Sequence, residues 1–261
     1  MTRDFRLVGP WLIALLLVTQ IAAARASERV DLLLAFAVDV SRSIDAAKFK
    51  LQRDGYVAAI NNPRVIDAIR SGSNGRIAVC FIEWSGETSQ KLVIDWTVID
   101  NAESARRFSD GIVEAPRSFA DRTSISAGID FAVQQLERAP FAATRRAIDV
   151  SGDGTNNSGR DVTAARDQAL AKGITINGLV ILSVAPLAWN AEHTNPPGGL
   201  DEYYKRNVVG GPGAFVMVAR DFESFGQAMI NKLIGEVALA SPRWRTVQRV
   251  NSSDAMPPRQ Q

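Results

Sequence analysis

Residues 30–38 form an almost unbroken apolar run of strand length, the pattern of a strand buried on both faces of a parallel sheet. The period then changes. Asp45 is placed to cap a helix in which Ala46, Phe49, Tyr56, Val57 and Ile60 fall on one face, and Asn62-Pro63 ends it. Two further strands are expected at residues 76–84 and 91–99, joined by the polar segment 85–90, which is short enough for a hairpin. In the second of them Leu92, Ile94, Trp96 and Val98 alternate with Asp95 and Thr97, which marks an antiparallel edge strand.

Residues 101–113 are weakly helical and Pro116 closes them, whereas residues 124–138 carry Ile125, Ile129, Ala132, Val133 and Leu136 at clear helical spacing. A short strand at 146–150 runs into the turn cluster Ser151-Gly152-Asp153-Gly154. Asp161 then caps a helix with Val162, Ala165, Ala169 and Leu170 inward, Lys172-Gly173 stops it, and 174–182 is the next apolar strand. This alternation predicts an α/β fold with a mostly parallel sheet and helices on both faces. Residues 186–212, rich in proline and glycine, read as a long surface excursion. A last strand at 214–219 leads to a helix capped by Asp221, with Phe222, Phe225, Met229, Ile230 and Leu233 on one face. There are no detectable internal repeats.

The two ends stand apart from this pattern. Arg3 and Arg6 precede an apolar run from Trp11 to Ala24, and Ala24-Arg25-Ala26 has the small-x-small form of a secretory cleavage site, so residues 1–26 read as a signal peptide. An uncleaved anchor is the alternative, disfavoured because the run is shorter than the roughly 20 residues that span a bilayer. Residues 27–240 are then the folded domain and 241–261, polar and basic, a disordered tail. The expected location is the periplasm or the medium, with no stable membrane insertion after cleavage. Losing Arg3, Arg6, Arg25 and Asp4 from 30 basic and 28 acidic residues leaves a formally neutral chain. No basic stripe with interleaved aromatics suggests nucleic acid. The single cysteine, Cys80, lies in an apolar strand and reads as a buried small hydrophobe.

Chemistry concentrates at three loops. Asp39-x-Ser41-x-Ser43 follows the first strand, Thr123 precedes the clearest helix, and Asp153 follows the strand at 146–150. In an open parallel sheet, loops at the carboxyl ends of strands share one edge, where ligands bind. Two carboxylates and three hydroxyls suit Mg²⁺, a hard cation that takes oxygen donors and keeps water. Competing readings are weaker. Asp149-x-Ser151-x-Asp153-Gly154 begins like an EF-hand loop, but its twelfth position is Arg160 and strand precedes it. Gly210 to Gly213 lack the lysine-serine pair of a phosphate loop. His193, the only histidine, falls in the excursion and reads as a solvated loop residue; Glu83 stays open between a surface and a supporting role.

Asp39-x-Ser41-x-Ser43, Thr123 in Arg122-Thr123-Ser124-Ile125, and Asp153-Gly154 at a strand end resemble the metal-ion-dependent adhesion site, MIDAS, of von Willebrand factor type A (vWA) domains. The resemblance covers about residues 30–235 and extends to bacterial exported vWA-like proteins of unknown function (DUF1194-like), which share a Tyr203-Tyr204 and Val208-Val209-Gly210-Gly211-Pro212-Gly213-Ala214-Phe215 pattern. It implies a doubly wound, Rossmann-like sheet with one antiparallel edge strand. It implies Mg²⁺ (Mn²⁺ possible) touched by Ser41, Ser43 and Thr123, with Asp39 and Asp153 acting partly through water, and a protein partner supplying a carboxylate. Gly152 departs from the family, which commonly has threonine or serine there, a change able to shift the loop. The function expected is an exported protein-binding module without enzymatic activity. The alternative is a Mg²⁺-dependent phosphohydrolase in which Asp39 attacks phosphorus, opposed by Ser41 standing where an acid-base carboxylate is usual. A scaffold with an empty or purely structural site is the third reading.

Overall fold

The computed structural model describes residues 27–183 and 186–238; the expected signal peptide and the expected tail from 241 lie outside them. The chain opens with β1 (Arg29–Val30) and passes into β2 (Leu33–Asp39), α1 (Ala46–Ile60) and α2 (Pro63–Arg70). The hairpin β3 (Ile77–Trp84) and β4 (Gln90–Ile99) follows, then α3 (Ala102–Glu114) and α4 (Ile125–Arg138). Next come β5 (Ala142–Ala143), β6 (Arg146–Gly152), α5 (Val162–Ala171) and β7 (Thr175–Ile181). Last are α6 (Ala191–Thr194), α7 (Leu200–Asn207), β8 (Val216–Ala219) and α8 (Phe225–Ala238). The main sheet has the order β4-β3-β2-β6-β7-β8; β1 pairs separately with β5. Only the β3–β4 pairing in the main sheet is antiparallel, so the fold is a doubly wound α/β sheet with one antiparallel edge strand, as the alternation in residues 91–99 required.

Every residue of β2 is buried because helices cover both faces. Leu34, Phe36 and Val38 point to a core shared with α1, α2, α3 and α8, while Leu33, Ala35 and Ala37 point to a second core with α4, α5 and α7. In the first core Tyr56 meets Phe36 and Phe81 edge-on, with centroids at 5.4 and 5.1 Å, each pair worth about 0.5–1.5 kcal/mol beyond burial. The same face carries a fully buried ionic cluster. Lys232 of α8 lies 2.8 Å from Asp149 and 2.6 Å from Glu236, which also accepts a hydrogen bond from Asn177. Cys80 is buried, and burial pushes its thiol pKa well up, as an inert small hydrophobe requires.

One helix is unanticipated and three expectations change. The segment after Asn62 forms a second short helix, with Pro63 at its start, where a missing N–H costs nothing. Strand β6 runs on through Ser151 and Gly152, because neighbouring β7 continues to pair with it as far as Val180. Asp221 caps a turn by accepting from Ser224 N–H at 2.7 Å, and the last helix begins only at Phe225. The excursion after residue 186 is not merely a surface loop: α6 and α7 bury His193, Thr194, Leu200, Tyr204 and Val208. Among the described residues no helix is long and apolar enough to cross a membrane.

Candidate metal centre

Strands β2 and β6 are neighbours, yet the chain leaves β2 toward β3 and leaves β6 toward β7. That divergence opens a crevice at their carboxyl ends, the usual ligand position in such sheets. The period of two then decides what faces it. Asp39 continues the row of Ala37, and Gly152 continues that of Val150, both on the side of α4 and α7. Asp39 is fully buried, and its Oδ1 accepts the Ser41 N–H at 2.7 Å, which folds the loop back so that Ser41 and Ser43 bring their hydroxyls to 3.1 Å. Ser43 Oγ donates to Asp153 Oδ1 at 2.5 Å, tying the β2 loop to the β6 loop. Arg117 holds the outer side of the turn by donating to the carbonyls of Val40 and Ser41 at 2.7 and 2.9 Å.

Thr123 arrives on the segment between α3 and α4. Its N–H donates to Asn157 Oδ1 at 3.0 Å, and its carbonyl accepts the Asn157 N–H at 2.9 Å. Glu83, left open by the sequence, proves fully buried. It pairs with Arg53 at 2.5 Å and accepts the Ser118 N–H at 2.9 Å, while Arg53 donates to the Ala115 carbonyl at 2.8 Å. The pair thus anchors the Thr123 segment to α1 and β3. Ser43 and Thr123 line one cleft of about 230 Å³, whose exposed rim carries Arg42, Arg122 and Trp189.

The excursion delivers two groups that sequence reasoning did not place here. His193, expected in solvent, is 2% exposed. Its Nε2 is 3.2 Å from Thr123 Oγ1, and its ring lies over Gly154, where an added Cβ would collide with the ring. Tyr204 is fully buried with its hydroxyl beside Gly152: a Cβ there would come within 2.6 Å of Tyr204 Oη and 3.0 Å of Asp39 Oδ2. Gly152 therefore leaves the strand in register and makes room for the tyrosine. The available signal was the glycine on either side of Asp153, which leaves space that larger groups from elsewhere must fill.

Electrostatically the centre is short of positive charge. Burial, and then the charge of Asp153, push the Asp39 carboxyl up to about 8. Burial also raises Asp153, opposed by the Ser43 hydrogen bond and by Lys48, whose Nζ lies 3.6 Å from Oδ2. Tyr204 is raised by burial and then by Asp39. Asp39 Oδ2, Asp153 Oδ2 and Tyr204 Oη are buried without a hydrogen-bond partner, an arrangement that ordinarily calls for a water or an ion. The donor set fits a hard divalent cation. Among the described residues no three His, Cys, Asp or Glu side chains form a metal cage by themselves, so hydroxyls and water would have to complete the set.

A family model described as "Protein of unknown function (DUF1194)" matches residues 29–241. No curated protein matches the chain. Solved structures do: the pilus adhesin SpaC from Lactobacillus rhamnosus GG is similar at 11% identity and a TM-score of 0.56, over 80% of this chain and 31% of that one. Proximal thread matrix protein 1 from the mussel byssus, with a zinc-occupied MIDAS motif, matches at 16% and 0.52 over 82% and 48%. A von Willebrand factor type A protein from Catenulispora acidiphila matches at 15% and 0.51 over 82% and 43%. The chain spans less than half the length of each, and the likeness shows the vWA fold.

Proposed function

The chain belongs to the DUF1194 family, whose function is unknown, and from that premise we propose that it is a metal-ion-dependent module that captures an acidic residue of a partner protein. The ion, Mg²⁺ or Mn²⁺, would be held by Asp39, Ser41, Ser43, Thr123 and Asp153. One observation carries the reading: two buried carboxylates keep an unpartnered oxygen each at the sheet's switch point, beside hydroxyls and below an open cleft. When bound, a divalent ion supplies an electrophilic position for one outside carboxylate. This chain's residues do the rest. Lys48 adds positive charge at Asp153, and at the rim Arg42 and Arg122 outnumber Asp121, which favours an anionic partner. Support for a divalent ion also comes from the zinc in the MIDAS motif of the mussel protein, and for adhesion from the pilus adhesin of the same fold.

We read the module as a binder rather than an enzyme. Ser41 stands two residues after Asp39, where attack on phosphorus needs an acid-base carboxylate. The module is read as exported, which the signal-like pattern of residues 1–26 supports. The test is affinity capture on immobilised residues 27–261 from periplasmic and extracellular extract of the producing bacterium. A partner retained with Mg²⁺ or Mn²⁺, and lost with chelator or with Asp39→Ala, supports the reading. Retention indifferent to both overturns it.

A further inference from the structure

We propose that His193 belongs to the metal centre and supplies Nε2 as the one nitrogen donor among oxygens, so that the site selects a later divalent ion such as Zn²⁺ over Mg²⁺. The proposal rests on the metal reading above and sharpens it. His193 is held as a ligand would be. Its backbone carbonyl accepts the Thr155 N–H at 2.9 Å, its N–H donates to the Asn190 carbonyl at 3.2 Å, Gly154 leaves no free space beneath the ring, and Trp189 stacks 6.5 Å away at 29°. These contacts fix the ring while leaving it beside Ser43 and Thr123 in the same cleft.

The ring's own polar contacts are all long: Nε2 to Thr123 Oγ1 at 3.2 Å, Nδ1 to Thr155 Oγ1 at 3.3 Å and to Asn157 Nδ2 at 3.4 Å. An octahedral ion with donors at about 2.1 Å sets neighbouring donors about 3.0 Å apart. The Thr123–His193 separation of 3.2 Å and the Ser41–Ser43 separation of 3.1 Å both fit such an edge. Coordination through Nε2 requires the proton on Nδ1, where the Thr155 hydroxyl at 3.3 Å can accept it, against the opposing Asn157 amide N–H beside the same nitrogen. An imidazole among oxygens shifts preference from Mg²⁺ toward later divalent ions.

The test uses tag-free residues 27–261 loaded with Mn²⁺. Because the chain holds a single histidine, nitrogen modulation of the imidazole type in electron spin echo spectra of the bound Mn²⁺ can only come from His193. We expect that modulation in the wild type and its loss in His193→Gln. The same variant should bind Zn²⁺ about 10–100-fold more weakly, with Mg²⁺ affinity changed far less. Mn²⁺ bound without imidazole modulation overturns the assignment of His193 and leaves the metal reading intact. A wild type that binds no Mn²⁺ at all overturns the metal reading and this inference with it.

Discussion

Gly152→Ala should destabilise the fold and weaken metal binding through two separate contacts. The new Cβ would sit 2.6 Å from Tyr204 Oη, well inside ordinary contact, and 3.0 Å from Asp39 Oδ2. Tyr204 cannot swing aside into solvent because it is fully buried. Overpacking of this kind costs about 1–3 kcal/mol. Alanine recovers about 0.5–1 kcal/mol of backbone entropy relative to glycine, which leaves a net loss of about 0.5–2 kcal/mol, or about 1–8 °C in Tm for a domain this size. Urea denaturation in chelator reads this loss directly. Tyr204→Phe removes the nearer clash, so Gly152→Ala in that background should lie within about 0.5 kcal/mol of Tyr204→Phe alone. The second clash remains, so the double variant should still bind Mn²⁺ about tenfold more weakly than Tyr204→Phe. A Gly152→Ala protein as stable as wild type, or a loss that Tyr204→Phe does not relieve, would refute the reasoning.

Three further outcomes follow from buried charge. Asp39 holds a proton in the metal-free fold up to about pH 8, whereas its unfolded carboxyl titrates near 3.8, so its contribution is fully present below that value and is lost as pH rises through about 8. In chelator, therefore, Asp39→Asn should lose less Tm than wild type between about pH 5 and 8, and it should show no Tm gain with Mn²⁺, by scanning calorimetry. Lys232→Met strands Asp149 and Glu236 in the core and should cost about 3–5 kcal/mol in urea denaturation at pH 7, mostly regained when both acids are also made amides. Glu83→Gln removes the charge that holds Arg53 and should weaken Mn²⁺ binding in calorimetric titration through Thr123, although Glu83 lies outside the donor set; unchanged affinity would mean that Asn157 and the backbone bonds of Asp121 and Ser124 position the Thr123 segment without it.

The sheet was legible because its signals are local. Apolar runs such as residues 30–38, the alternation in 91–99 and the caps Asp45 and Asp161 each report on neighbours in the chain, and the strands and helices stand where they point. The clustering of Asp39, Ser43 and Asp153 also followed from topology, since parallel strands share a carboxyl edge. What was not legible depends on long-range return of the chain. Nothing near His193 or Tyr204 announces that α6 and α7 fold back over Gly152 and Gly154. A proline-rich stretch with no period looks the same whether it leaves the surface or closes a site. Lys232 was hidden for a related reason: an amine in an apolar helical face reads as surface until the facing strand supplies Asp149.

The most direct test of the central claim is calorimetric titration of metal-free residues 27–261 with Mn²⁺ and Mg²⁺, alongside Asp39→Ala. The account predicts one ion per chain in the wild type and none at this site in the variant. Wild type that takes up neither ion, or Asp39→Ala that binds them as well as wild type does, would contradict it.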